Sequence, residues 1–396
     1  MDFNTIISFL LYLFTFFSGV IIDFRIHEDS NHILKKLYIV WLYIFLCFGY
    51  MTGSDWRQYE RDYTYDYYEW YTYSKEYGSY YVFYLFKHIG VDFWIFTGLF
   101  KVLYLHSLFS LASCFTKKKL FVISMYFLLG DLLTMLISCP FRNMIAITIA
   151  NYAICQYIKQ NKIIAISLLL LACTFHSAFI VTVAIILSYF LLNKITCKIS
   201  NIQYIILYTS LYIIILFTPI FEFIYSTVVP FFNLSNLAEL YEEEVNIKDF
   251  ITIGNIKKII LFLLLIYYKD EIIKLKYGNL LFYFSIFSSF GFLIFKCLPV
   301  GSRFNLINNF FFVIVFAQLV YSKRNVLNRT KFIRLALILC FFSTFYNIYS
   351  KYEYIPYSNS IPYIMSKHIP FNERSEYNYL EYKKRTGNVI VHDRDN

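Results

Sequence analysis

Residues 5–22 read Thr-Ile-Ile-Ser-Phe-Leu-Leu-Tyr-Leu-Phe-Thr-Phe-Phe-Ser-Gly-Val-Ile-Ile, with no charged residue among them. As a helix rising about 1.5 Å per residue, such a run covers most of the roughly 30 Å hydrocarbon core of a bilayer. The pattern recurs between charge clusters near 37–51, 92–113, 120–138, 142–158, 163–175, 177–192, 202–220, 256–268, 279–298, 304–321 and 335–350. The stretch 163–192 reads either as one long tilted helix or as two short ones meeting at Phe175-His176-Ser177; two keep the orientation alternating. At about 20 residues per span, about 12 spans take up roughly 240 residues. The expected fold is therefore an all-α polytopic membrane protein with about 12 transmembrane helices, residues 1–396 forming a single integral membrane domain.

Composition agrees. Of 396 residues, 59% are hydrophobic and only 16% charged, against about 25% charged in soluble globular chains. Twelve glycines and seven prolines leave little for flexible linkers, which excludes a disordered chain. Eight cysteines are scattered with no C-x-x-C pair, so they read as small packing residues. The net charge of +10 belongs to membrane topology rather than to nucleic acid, because the basic residues sort by side.

One set of short connections carries Arg25, Lys35 and Lys36, then Lys117–Lys119, Lys159 and Lys162, Lys194 and Lys198, Lys269, Lys274 and Lys276, and Lys323 to Arg334. The opposite set is poorer in basic residues, so the first set is expected to be cytoplasmic. Both termini then face outward, with no cleavable signal peptide required. The longest connections, 52–91 and 221–255, and the tail 351–396, fall on the outer, periplasmic face. Long loops on a rigid scaffold tend to carry binding residues.

Arg142 and Arg303 each follow a proline, Pro140 and Pro299, at the outer start of a span. Guanidinium groups at membrane depth need an anionic partner, and their fork matches phosphate oxygens, as in a lipid diphosphate. Snorkelling to headgroups or pairing with loop acids is the alternative. Asn143 beside Arg142, and Asn305, Asn308 and Asn309 after Arg303, put amides where they face either a cavity or a neighbouring helix. His176 lies between two short apolar segments, where a discontinuous span lines a cavity and an imidazole can take a proton. A turn histidine bonded to a backbone carbonyl is the bland reading. Loop 52–91 holds eleven tyrosines between Tyr59 and Tyr84, suited to an interfacial belt or to sugar stacking. Asp55, beside Arg57, is the first candidate for a base, and Glu76 the next. No Walker, dinucleotide-binding, zincin or nucleophile-elbow motif occurs. The lone Asp-x-Asp, Asp393-Arg394-Asp395, lies near the end of the sequence, where fraying is expected.

Four stretches resemble the Wzy-type O-antigen polymerases, specifically the EpsG-like branch. Gly53-Ser54-Asp55-Trp56-Arg57-Gln58-Tyr59 is similar to the family's G-T-D-x-x-x-Y stretch, with serine in place of threonine. Phe141-Arg142-Asn143-Met144-Ile145-Ala146 resembles its R-Q/N-x-x-A helix start. Thr174-Phe175-His176-Ser177-Ala178 resembles its F-H-x-S-A stretch without the intervening residue, and Gly301-Ser302-Arg303-Phe304 its late arginine. The resemblance spans roughly residues 37–365. It implies a GT-C-like glycosyltransferase of the bacterial inner membrane that polymerises undecaprenyl-diphosphate-linked oligosaccharides at the periplasmic face. Neither metal nor other cofactor is implied. Arg142, Arg303 and Arg57 would hold the diphosphate, with Asn143 and Asn305 as further substrate contacts, and His176, Asp55 or Glu76 would serve catalysis. Membrane lipids, a chain-length regulator and a flippase would be its partners. An O-antigen ligase and a lipid-linked oligosaccharide flippase or other transporter are the competing functions.

Overall fold

A computed structural model describes residues 3–25, 32–53, 55–177, 179–217, 253–295, 305–322, 331–351, 353–366 and 368–386. Almost every apolar run becomes a helix. In order these are α1 (Phe3–Arg25), α2 (His32–Cys47), α3 (Trp56–Thr64), α4 (Trp70–Tyr73), α5 (Tyr77–His88), α6 (Phe93–Phe115), α7 (Lys119–Leu129), α8 (Asp131–Leu133), α9 (Phe141–Ile158) and α10 (Lys162–Phe175). They continue as α11 (Phe179–Lys198), α12 (Asn201–Phe217), α13 (Ile253–Tyr267), α14 (Lys269–Ile273), α15 (Gly278–Phe295), α16 (Leu306–Ser322), α17 (Lys331–Ser350), α18 (Ile361–Ile364) and α19 (Phe371–Thr386). The described strands are β1 (Gly49–Tyr50) and β2 (Ser358–Asn359), which pair antiparallel.

The chain expected as one domain over 1–396 divides into two compact units. The first is Met1–Ser177 with Thr344–Asn396, the second Ala178–Ser343. In the first unit α6 packs on α2 and α9, α1 on α7, and α9 on α10 as an antiparallel hairpin. The hairpin turn is short, and Gln160 takes a left-handed φ of 68° to close it. In the second unit α15 packs against α11 and α16. Phe3–Asp23, Phe93–Phe115 and Ile333–Ser350 are each long and apolar enough to cross a membrane unaided. Shorter apolar helices include Lys162–Phe175, Gly278–Ile294 and Leu306–Tyr321.

Several expectations change. The run 120–138 is not one straight helix. Gly130, at φ 90°, ends α7, and the chain resumes as α8 and a π-helical turn, Thr134–Ser138, bent by 87°. A residue with a side chain resists that φ, so the glycine fixes the bend. The run 37–51 stops at Cys47, because Gly49 and Tyr50 leave the helix to pair with the tail. The single tilted helix over 163–192 does not form, since α10 ends at Phe175 and α11 begins at Phe179. Loop 52–91 is mostly short helices. The loop at 221–255 lies almost wholly outside the described residues, as does Arg303.

Tail 351–396, expected on the periplasmic face, belongs to the first unit and is described through residue 386. Besides the β1–β2 pairing, the Ser360 amide donates to the Phe48 carbonyl at 2.6 Å. Arg374 donates to both oxygens of Glu60, at 2.6 and 2.8 Å, and from Nε to the Ile369 carbonyl at 2.7 Å. The Tyr50, Trp56, Trp94 and Phe371 rings box its guanidinium at 5.3–5.8 Å. Gly53 explains itself in the same neighbourhood: at φ 82° its Cα approaches the Ile137 carbonyl so closely that a Cβ would stand 2.3 Å from that oxygen.

Candidate functional site

Where α5 begins, it docks on the end of α10. Ser79 Oγ donates to the Phe175 carbonyl at 2.7 Å, answering an acceptor the helix end leaves open. Gly78 permits the approach, because a Cβ there would come within 2.6 Å of Thr174 Oγ1 and 2.9 Å of the Phe175 ring. This contact carries Glu76 to His176, which leaves the helix in an extended conformation.

The Glu76 carboxylate, its side chain 2% exposed, is the hub of the site. Oε1 accepts from the Ser177 amide at 3.0 Å and its hydroxyl at 3.2 Å, and faces His176 Nδ1 at 2.9 Å. Oε2 accepts from Arg142 Nη1. Burial pushes the carboxyl's pKa up, but the His176 hydrogen bond, the Arg142 guanidinium and the Ser177 amide outweigh it and hold the group at about 2. It stays ionised at neutral pH, is a weak base, and accepts hydrogen bonds only. His176 Nδ1 therefore carries the proton of that bond, and in the neutral ring Nε2 offers a lone pair.

Arg142 lies in the first turn of α9 with its guanidinium 4.7 Å from the Tyr71 ring. Tyr71 donates to Asp62 Oδ2 at 2.8 Å, which fixes the ring. Burial raises the Asp62 carboxyl, against the opposing Tyr71 hydrogen bond and the nearby arginines. The Arg142 side chain remains 25% exposed, and its Nε is buried without a partner among the described residues. The arrangement thus holds one partly exposed cation, one oriented imidazole and a hydroxyl around a carboxylate that is charged at neutral pH.

Of the residues singled out in the sequence, Glu76, Arg142 and His176 come together, although they lie far apart in the chain. Asn143 is buried beside Arg142, with Nδ2 unpartnered among the described residues. Asp55 precedes α3, and the half-buried Arg57 makes no hydrogen bond or ion pair with a described residue. Asn305 belongs to the second unit, where its Nδ2 donates to the Ser288 carbonyl at 2.7 Å and its Oδ1 accepts from Asn308 at 3.1 Å. Ser288 also donates to Asn309 at 2.6 Å, so these amides tie α15 to α16 instead of lining an opening.

Sequence reasoning passed over Ser177, Tyr71 and Lys101. Ser177 adjoins His176, which is a usable signal. Nothing in sequence separates Tyr71 from its ten neighbours in the tyrosine cluster. Lys101, buried within α6, was legible as a lone charge inside an apolar run.

No curated protein and no solved structure matches the chain. The sequence model of the EpsG family matches residues 32–363, a stretch that contains the Gly53 turn, Glu76, Arg142, His176 and β2. With most of its length covered and with apolar helices throughout, this chain belongs to the EpsG family, a membrane glycosyltransferase family.

Proposed function

We propose that the protein polymerises undecaprenyl-diphosphate-linked oligosaccharide repeat units into O-antigen polysaccharide, by glycosyl transfer at the periplasmic face of the bacterial inner membrane. Family membership supports a polymerase-like role in exopolysaccharide or O-antigen synthesis. The observation that carries the reading is the single buried carboxylate, Glu76, joining Arg142 to His176. In this reading about twelve spans form a GT-C-like body, and segments 52–91, 221–255 and 351–396 face the periplasm. A flippase supplies the precursors and a chain-length regulator acts on the product.

Glu76 is a positioning residue. By accepting from Nδ1 it aims His176 Nε2 at the acceptor sugar's hydroxyl. That oxygen attacks the donor sugar's anomeric carbon, its proton passes to Nε2, and the bond from that carbon to the lipid diphosphate breaks. The electron pair leaves with the diphosphate, whose growing charge meets Arg142. Arg57 and Arg303 are retained as further diphosphate contacts and Asn143 as a neighbour of the same turn. Asp55 remains the second candidate for the base.

The gel profile of surface polysaccharide from a strain lacking the protein, complemented with wild type or Arg142→Ala, tests the reading. Wild type should restore long ladders and the variant only one-repeat products, at equal membrane levels. Core alone with accumulated lipid-linked polymer would identify a ligase instead. Unflipped precursor would identify a transporter.

A further inference from the structure

Arg142 touches Glu76 through one guanidinium nitrogen. A single contact pins one point of a planar group and leaves the plane free to swing, so the direction of its other N–H groups depends on what packs against it. Two tyrosines do so. The Tyr71 ring, 3% exposed, lies 4.7 Å from the guanidinium carbon, and the Tyr59 hydroxyl accepts from the same group. Tyr71 is itself held from three directions. Its hydroxyl donates to Asp62 Oδ2 at 2.8 Å, Phe83 meets its ring edge-on with centroids 5.3 Å apart, and its carbonyl accepts from the Glu76 amide at 2.9 Å. The last bond ties the ring beside Arg142 to the segment that supplies the arginine's carboxylate.

Tyr59 and Asp62 stand three residues apart in α3, both buried, and so share one face of that helix. Helix α3 therefore reaches Arg142 directly through Tyr59, and through Tyr71 by way of Asp62. Arg61 and Arg142 lie close enough to Asp62 to offset its charge. Packing alone would be served by a phenylalanine against an apolar residue, without the cost of burying a carboxylate. What the bond from Tyr71 to Asp62 adds is a fixed ring beside a cation that is still 25% exposed.

We propose that Tyr71 and Asp62 are positioning residues of the glycosyl transfer: together with Tyr59 they hold the Arg142 guanidinium in one plane, so that it meets the departing diphosphate in a single orientation. The inference rests on the polymerase reading and adds residues that reading does not use. They act through Arg142 and form no bond to the sugar or the diphosphate.

Purified protein in lipid nanodiscs, given the lipid-linked repeat unit extracted from a strain that lacks it, tests this by kcat and KM. Tyr71→Leu removes the ring and the hydroxyl and should lower kcat roughly tenfold, the size of a desolvated cation–ring contact, with KM close to wild type. Tyr71→Phe, which keeps the ring, should fall between the two. Asp62→Asn, which keeps an acceptor for the hydroxyl, should lose less than Asp62→Ala. In an Arg142→Ala background Tyr71→Leu should cost nothing further, because the group it positions is gone. An unchanged kcat, a rise in KM alone, or the same loss in both backgrounds overturns the assignment. Wild type that fails to extend the lipid-linked unit overturns the polymerase reading instead, and the bracing is then decided by phenylglyoxal labelling of Arg142 followed by peptide mass spectrometry. Tyr71→Leu should label faster than wild type; equal rates overturn the bracing. Should Tyr71→Leu fail to fold, Tyr71→Phe and the two Asp62 variants decide.

Discussion

The first unit contains two buried carboxylate–arginine pairs, and they are built to opposite ends. At Glu60–Arg374 the contact is bidentate, the guanidinium's Nε is also bonded, aromatic rings close over it, and the arginine side chain is 4% exposed. At Glu76–Arg142 a single guanidinium nitrogen reaches the carboxylate, which is shared with His176 and Ser177, and the arginine is 25% exposed. The first pair has satisfied its donors and fastens one segment to another. The second leaves its guanidinium partly exposed, beside an imidazole that shares the same carboxylate. The difference lies in how far the guanidinium is enclosed, since both pairs use the same two residue types.

Substitutions can break this contrast, and the largest effect is expected at the imidazole. His176→Ala should lower polymerisation by about 10²–10⁴-fold, the usual contribution of a positioned acid–base group, measured as ladder formation from lipid-linked precursor. An undiminished ladder would return His176 to a packing role. Arg142→Ala should lower turnover by about 10²–10³-fold with the chain still inserted. Arg374→Ala should do the reverse: stability falls by about 3–5 kcal/mol because Glu60 is left buried and unpaired, while ladder length per folded molecule is retained at permissive temperature. A loss of ladders from a fully folded Arg374→Ala protein would erase the distinction between the pairs.

Acid titration sharpens it further. The folded Glu76 carboxyl, near 2, lies below its ordinary value of 4.5. Its contribution to stability is thus fully present above about pH 4.5 and is lost as pH falls through about 2, at up to about 1.4 kcal/mol per pH unit. Denaturation of wild type and Glu76→Gln between pH 5 and 2 should show a shallower slope in the variant. The smallest effect belongs to Ser177→Ala. It removes one of four hydrogen bonds to the carboxylate and should slow turnover by roughly fivefold, or about 1 kcal/mol.

Apolar runs made the helices legible, because helix length and lipid chemistry are both local properties of the chain. The break at Gly130 was legible in kind, but its 87° bend depends on how the next turn packs. Arg142 and His176 stood out as polar groups at span ends. Glu76 did not stand out above Asp55, since what selects it is a contact with a residue 100 positions later, arranged by Gly78 and Ser79. Asn305 stayed open in the sequence, because an amide stripe looks the same whether it faces a cavity or the neighbouring helix; its bonds here run to Ser288 and Asn308. Arg374 was invisible for a similar reason: its partners are 314 residues away, and only the folded tail brings them near.

That distance bears on synthesis. At roughly 5–20 residues per second, Glu60 waits about 15–60 s on the growing polypeptide before Arg374 emerges to meet it. During that interval the ribosome and the insertion machinery hold a protein whose early segments lack their fastening. Reporters that replace everything beyond a joint ahead of Arg374 therefore lack this fastening, so mapping of sidedness is better done by labelling single introduced thiols in the intact chain.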